Sequence, residues 1–114
     1  MNPEPRWHTE AIGDLDDGYQ WHEERQPGLG SDLAAELDVL IKQAMASPLQ
    51  QKQYEHPKLP AGWRVRKIQL RRFSEYGLIY TVVENTFWVV AVAHAKRRPG
   101  FWIDRMKAFV RQQP

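Results

Sequence analysis

The sequence predicts an α+β fold, in which an N-terminal antiparallel helical hairpin packs on a small antiparallel β-sheet and a C-terminal helix follows. Residues 10–48 contain two stretches with apolar residues at helical spacing, separated by a turn rich in proline and glycine. From residue 63 the pattern changes to short β-branched and aromatic runs joined by short links. Helical spacing returns after Pro99, a residue well suited to the first turn of a helix.

The first helix is predicted over residues 10–25, after a short extended segment at residues 6–8. Thr9 is the expected N-cap. The buried face of this helix is expected to be the stripe Ile12, Leu15, Tyr19 and His22. Asp14 and the other acidic residues of this stretch are then expected on the outer faces.

The second helix is predicted to begin after Ser31, as its N-cap, and to end before Pro48. Its apolar stripe is Leu33, Leu37, Leu40, Ile41, Ala44 and Met45. The short turn at residues 26–30 makes the two helices antiparallel neighbours. Residues 49–62 lack a period and contain two prolines, which indicates a surface loop.

Three strands are predicted at residues 65–70, 76–83 and 87–94, and the last two are joined by a tight connection at residues 84–86. Consecutive strands with short links form an antiparallel meander. The final helix is expected to present the stripe Trp102, Ile103, Met106, Phe109 and Val110.

Composition limits the possible classes of protein. With 114 residues, 42% of them apolar, the chain is expected to form one domain over residues 1–114 with one core. The absence of cysteine excludes disulfides, thiolate zinc sites and cysteine nucleophiles. The four histidines lack the spacing of a zinc site, so neither a metal nor another cofactor is expected. A polar N-terminus and the lack of a long apolar stretch predict a cytoplasmic protein without a membrane partner.

The net charge of +2 conceals a division between the two halves of the chain. Residues 1–62 carry 11 acidic and 5 basic residues, a net charge of −6, whereas residues 63–114 carry 3 acidic and 11 basic residues, a net charge of +8. This asymmetry favours an anionic partner for the second half, either nucleic acid or an acidic protein segment. The alternative is that the acidic half packs beside the basic half and cancels much of the field.

The segment from residue 94 to residue 102 is the strongest candidate for a functional surface. An apolar strand ends at His94 and is followed by three cations, Lys96, Arg97 and Arg98. His94 can act as an acid or base near neutral pH, and the cations can hold a phosphate or carboxylate.

Further residues extend this candidate surface. The phosphate-binding or target-binding set also includes Arg64 and Arg66 from the neighbouring strand, and Trp102, which could stack on a base. Each candidate has a structural alternative: a strand-end histidine bonded to the backbone, solvated or ion-paired arginines, and aromatic rings buried under the final helix.

Three local strings, taken in order, resemble the RelE/ParE superfamily of type II toxin–antitoxin toxins. Residues 19–30 (YQWHEERQPGLG) look like the first-helix end and turn of plasmid-stabilisation members. Arg66 to Tyr80, with Phe73 and Tyr76 between them, resembles the superfamily's strand pair. Residues 94–102 (HAKRRPGFW), with Arg105 beyond them, resemble its closing signature.

This resemblance implies a growth-inhibiting toxin that is neutralised by a cognate antitoxin through an acidic segment. ParE-like members interfere with DNA gyrase without cleaving RNA, and the plasmid-stabilisation strings favour this branch. RelE-like members instead cut mRNA on the ribosome. For that alternative His94 is the candidate catalytic residue, with a metal-independent endoribonuclease mechanism, and a second acid or base could come only from Glu75 or Tyr76 if their turn folds back.

Overall fold

The fold is a four-stranded mixed sheet with a helical hairpin on one face and a loop and a short helix on the other. A computed structural model describes residues 4–112, with the side chains of residues 4–107. In chain order the elements are β1 (Arg6–Trp7), α1 (Thr9–Arg25), α2 (Leu29–Ala46), β2 (Arg66–Gln69), β3 (Tyr76–Val83), β4 (Thr86–His94) and α3 (Ile103–Gln112). The predicted α+β class and the order of its elements are confirmed.

Both helices of the hairpin begin earlier than predicted. His8, and not Thr9, caps α1, because its Nδ1 accepts a hydrogen bond from the backbone N–H of Glu10 at 3.1 Å. Burial lowers the pKa of His8, which keeps the ring neutral and able to accept this bond. At the start of α2, Gly28 takes the N-cap position with φ of 91°, so Ser31 lies inside the helix.

The buried face of α1 differs from the predicted stripe. Ala11, Gly18 and His22 are buried, whereas Ile12 and Tyr19 are 48% and 37% exposed. Helix α1 is rotated about its axis relative to the prediction because it packs closely on its neighbours. A Cβ added to Gly18 would lie only 3.1 Å from atoms of α2 and β3. Ala11 and Gly18 therefore face the core, together with His22 from the predicted stripe. By contrast, the stripe predicted for α2 is correct: Leu33, Leu37, Ile41 and Ala44 are buried, and Leu40 and Met45 are partly buried.

The sheet has the order β1-β4-β3-β2. Strands β2, β3 and β4 form the predicted antiparallel meander, and residues 84 and 85 turn between β3 and β4 with φ of 48° and 63°. The prediction of a wholly antiparallel sheet is wrong, because β1 pairs with β4 in parallel through Arg6–Trp88 and Trp7–Val89. The chain passes from β1 directly into α1, so this short strand never forms a hairpin with its neighbour.

The sheet divides the core into two layers. The hairpin side is filled by residues such as Leu33, Leu37, Leu78, Tyr80, Phe87 and Val89. The opposite side contains Val65, Ile79, Val90, Ala91, Trp102, Ile103 and Met106. Part of the predicted surface loop also covers this second face, through Tyr54 and Leu59. Phe109 and Val110, expected in the stripe of the last helix, lie outside the described side chains.

None of the helices described is long and apolar enough to cross a membrane.

Candidate binding surface

The candidate surface starts where β4 ends. His94 pairs with Tyr76 across the sheet, and the two rings meet edge to face with centroids 4.9 Å apart. The Nδ1 atom of His94 accepts a hydrogen bond from the backbone N–H of Lys96 at 3.0 Å. This bond requires an unprotonated Nδ1, so a neutral ring carries its proton on Nε2.

The loop after β4 is held by local backbone hydrogen bonds. Arg97 N–H donates to the His94 carbonyl at 3.0 Å, and Phe101 N–H donates to the Arg98 carbonyl at 3.1 Å. Gly100 adopts φ of 75°, and a Cβ there would lie 2.9 Å from both His56 Nε2 and Ile103 Cδ1. Only glycine fits this position without displacing a neighbour. The cations before it are therefore presented on a defined loop.

Arg97 and Arg98 differ in how firmly they are held. The Arg97 guanidinium lies 3.8 Å from the centroid of the Phe101 ring and 3.9 Å from Asp14 Oδ1, yet its side chain is 52% exposed. Arg98 is exposed and has no ion pair with a described residue. Both side chains are accessible to a partner, because Arg98 is exposed and the Arg97 side chain is about half exposed.

Lys67 of β2 reaches the same surface from across the sheet. An added Cβ on Gly77 would lie 2.6 Å from Lys67 Cε and within 3.6 Å of its Cγ and Cδ, so the lysine side chain lies over this glycine of β3. A cleft of about 210 Å³ results, lined by residues that include Lys67, Glu75, His94, Arg97 and Arg98. We call this the cationic cleft. Sequence analysis did not include Lys67, although its alternation with Ile68 predicts that it faces away from the hairpin.

Of the other predicted binding residues, Arg64 and Arg66 lie outside the cationic cleft. Arg66 pairs with Tyr80, four residues along β3 from Tyr76, which corresponds to about 13 Å. Its Nη1 donates to the Gln51 carbonyl at 2.9 Å. Arg64 is exposed just before β2, at the same end. Trp102 lines the cationic cleft, but it is only 2% exposed and packs against Tyr54, so its ring belongs to the core.

Glu75 and Tyr76 do fold back onto the end of β4. The Glu75 carbonyl accepts a bond from Ala95 N–H at 2.7 Å, and Glu75 is among the residues that line the cationic cleft. Its Oε1 lies 3.7 Å from Nε2 of the buried His22 in α1. Burial, with the nearby Glu75 charge, raises the pKa of Tyr76 above its usual range. The phenol therefore stays protonated at neutral pH. A second cavity of about 290 Å³, between α1 and the end of β4, is lined by Asp17, Trp21 and Tyr76 together with His94.

A buried ion pair fixes α3 behind this surface. The Arg105 guanidinium bonds both oxygens of Asp14, at 2.6 and 3.0 Å, and also the Val90 carbonyl at 3.1 Å. Asp14 accepts a further bond from Val92 N–H at 3.1 Å. The expectation that Asp14 points outward is wrong, since its side chain is 7% exposed. One carboxylate thus joins α1, β4 and α3.

No group of three or more potential metal ligands lies together among residues 4–107. The titratable residues that line the cationic cleft include one lysine, two arginines, one histidine and one glutamate. This donor set suits an anionic group better than a metal ion.

Comparison with known families identifies the relationship. The sequence profile of the ParE toxin of the type II toxin–antitoxin system parDE matches residues 6–99. The chain belongs to the ParE toxin family. A ParE-family toxin partners with a cognate antitoxin, so this chain is the toxin component of such a pair. A comparison with curated proteins found no significant match.

The match to the ParE family covers the sheet, the hairpin and the loop up to Pro99. Arg97 and Arg98 therefore lie within the part shared with the ParE profile. Trp102 and Arg105 lie beyond it, in the segment that closes the second face of the sheet. The cationic cleft is thus built where the matched region meets the segment that follows it.

Proposed function

We propose that this chain is a ParE-like toxin that acts in the cytoplasm by binding DNA gyrase. Its antitoxin neutralises it by placing acidic residues in the cationic cleft, and gyrase engages a partly overlapping surface. The observation that carries this proposal is the convergence of Lys67, Arg97 and Arg98 on one cleft. A protein partner with carboxylates suits such a cleft, and complementary charge speeds its association.

The aromatic residues beside the cleft support a protein partner over RNA. Trp102 is buried, and the Phe101 ring has the Arg97 and Arg105 guanidiniums 3.8 and 5.1 Å from its centroid. Trp102 is therefore closed to a base and Phe101 already stacks with arginine, although base stacking contributes much of the affinity for single strands. The raised pKa of Tyr76 also makes its phenol a poor general base. This arrangement favours binding over cleavage.

The gyrase proposal is tested with purified toxin in a DNA supercoiling assay. The wild type is expected to inhibit supercoiling and to trap cleaved DNA on gyrase. An Arg97→Ala/Arg98→Ala variant should lose at least ~10-fold in potency, because each charged contact contributes about 1.5–3 kcal/mol. Arg64→Ala removes a cation outside the cleft and should act like the wild type. A wild-type toxin without effect on gyrase would refute the proposal.

One observation favours a second candidate, a ribosome-dependent mRNA endoribonuclease of the RelE type. Glu75 and His94 line the same cleft as Lys67, Arg97 and Arg98, so a possible acid, a possible base and phosphate ligands are together. In this case His94→Asn, which preserves an acceptor for the Lys96 N–H, should slow cleavage by ~10²–10⁴-fold. Intact mRNA after toxin induction would reject this candidate. If the toxin acts on gyrase instead, the His94→Asn variant should still inhibit gyrase.

A further inference from the structure

A second groove lies on the other side of the loop that bounds the cationic cleft. Its volume is about 600 Å³, and Arg98, Pro99 and Gly100 line both the cleft and this groove. The rest of its lining comes from the loop before β2, which contributes Lys58, and from the start of α3, which contributes Lys107. We call this the outer groove.

A contact between His56 and Gly100 places Lys58 beside Arg98. His56 Nδ1 accepts a hydrogen bond from the Lys58 N–H at 3.1 Å, and the His56 carbonyl accepts one from the Leu59 N–H at 3.0 Å. This turn packs on the loop after β4, since a Cβ added to Gly100 would lie 2.9 Å from His56 Nε2. Lys58 and Arg98 are therefore held in the walls of one groove.

The outer groove is positively charged. Lys58, Arg98 and Lys107 are exposed, and Asp104 is the one carboxylate among the described residues that line the groove. Asp104 Oδ1 lies 3.3 Å from Lys107 Nζ, whereas Lys58 and Arg98 have no ion pair with a described residue. Because Arg98 also lines the cationic cleft, the groove and the cleft form one continuous basic surface. Such a surface attracts a polyanion.

The lining of the outer groove suits the backbone of a DNA duplex better than a protein or a single strand. Protein interfaces usually have aromatic or apolar anchors at their centre, and single strands stack on open rings. No Phe, Tyr or Trp is among the described residues of this lining, and Ile103 is buried. The cationic cleft, by contrast, includes Tyr54 and Phe101. Interfaces with duplex DNA are more polar and more positively charged than interfaces with proteins.

We propose that the outer groove binds the phosphate backbone of double-helical DNA. Lys58, Arg98 and Lys107 contact the phosphates there without reading the base sequence. This inference rests on the proposed function, because a toxin bound to gyrase lies on an enzyme that holds a DNA duplex. The cationic cleft then faces protein, and the outer groove faces the DNA beside it. This second contact stabilises the complex of toxin, gyrase and cleaved DNA.

The proposal is tested by fluorescence anisotropy with purified toxin and a labelled duplex of about 30 base pairs, at several salt concentrations. Wild-type toxin should bind the duplex with a Kd of ~10⁻⁶–10⁻⁴ M, and more tightly than either single strand. A Lys58→Gln/Lys107→Gln variant should lose at least ~10-fold in affinity at low salt. Its plot of log affinity against log salt should be less steep by about 2, because two phosphate contacts are removed.

The matched control is Lys42→Gln/Arg72→Gln. It removes the same charge from the hairpin side, where Lys42 and Arg72 pair with Asp38 and Asp32 of α2. This variant should bind the duplex within about 2-fold of the wild type, since neither residue lines the groove. All four substituted residues are exposed, so both variants should melt at the wild-type temperature.

Several results would overturn the proposal. One is wild-type toxin that shows no salt-dependent binding to the duplex, and another is tighter binding of the single strands. An equal loss in the control variant would show that the attraction comes from net charge alone. A Lys58→Gln/Lys107→Gln variant that binds the duplex normally and the cognate antitoxin more weakly would assign the groove to an acidic protein segment instead.

Failure of the proposed function gives different results, because the anisotropy experiment contains no gyrase. If the toxin binds the duplex through the groove and leaves gyrase unaffected, only the gyrase target is lost. If the toxin inhibits gyrase and does not bind the duplex, only the groove inference is lost. Where both hold, the Lys58→Gln/Lys107→Gln variant should bind DNA-free gyrase like the wild type and trap less cleaved DNA.

Discussion

Asp14 shows how a charged residue becomes part of the core. Strand β1 pairs with β4 only at Trp88 and Val89. Beyond Val89, the backbone groups of β4 on this edge need other hydrogen-bond partners. Asp14 accepts from Val92 N–H, and Arg105 donates to the Val90 carbonyl. A carboxylate and a guanidinium therefore replace the missing strand. An acidic residue on a helix is predicted to be exposed, and its partner lies 91 positions away, so the sequence pattern alone did not predict this pair.

At the residue scale, we expect the Asp14–Arg105 pair to be strongly coupled. Asp14→Ala should lower the free energy of unfolding by about 3–5 kcal/mol, because it leaves a buried guanidinium without its counter-ion. Adding Arg105→Met removes that stranded charge, so the double variant should lose less than the two single variants together. Urea denaturation of the four proteins measures the coupling. Additivity within about 0.5 kcal/mol would contradict this account.

At the element scale, the helical hairpin depends on the close approach of its two helices. A Cβ on Gly30 of α2 would lie 2.4 Å from the backbone carbonyl oxygen of Tyr19 in α1. The N–H of Gly30 also donates to Glu23 Oε1 at 2.9 Å. The start of α2 is thus packed against the end of α1 by backbone contact, which requires glycine.

Gly30→Ala should therefore lower the free energy of unfolding by about 1–3 kcal/mol, since backbone cannot move aside as a side chain can. Gly13→Ala is the matched control: it lies inside α1 with no atom within 4 Å of the added Cβ. That change should raise stability by about 0.5–1 kcal/mol through helix propensity. Thermal and urea denaturation test both. Equal effects of the two substitutions would show that the close approach does not matter.

The elements themselves were predictable where local pattern dominates. Strand β3 has the predicted bounds, and the stripe of α2 is buried as expected. The two-residue strand β1 was predicted, but its parallel pairing was not, because strand direction depends on the path of α1. The rotation of α1 was missed for a similar reason: the apolar spacing favoured Ile12 and Tyr19, whereas close packing selects Ala11 and Gly18.

The candidate surface was predictable only in part. His94, Arg97 and Arg98 lie within one five-residue stretch of the sequence and line the same cleft. Lys67 joins them because Gly77 leaves room for its side chain, which no linear motif encodes. Arg66 was included as a residue of the predicted neighbouring strand, yet its pairing with Tyr80 places it four residues along β3 from Tyr76, outside the cleft.

At the scale of the whole molecule, the acidic and basic halves cancel only partly. Arg105 and Arg97 contact Asp14, and Arg72 pairs with Asp32 at 2.9 Å. Lys67 and Arg98 have no ion pair with a described residue. Lys67 and Arg98 therefore leave unpaired positive charge at the cationic cleft, on the sheet face opposite the hairpin.

This distribution predicts that the cleft steers the antitoxin electrostatically. Association with the purified antitoxin, measured by stopped flow, should slow by at least ~10-fold as ionic strength rises, because salt screens charges beyond about 10 Å at 0.1 M. A Lys67→Gln/Arg98→Gln variant should associate more slowly at low salt and depend less on salt. Arg72→Gln removes a charge already paired on the hairpin side and should retain most of the wild-type rate. If Arg72→Gln slows association as much as the double substitution, the steering comes from net charge and not from the cleft.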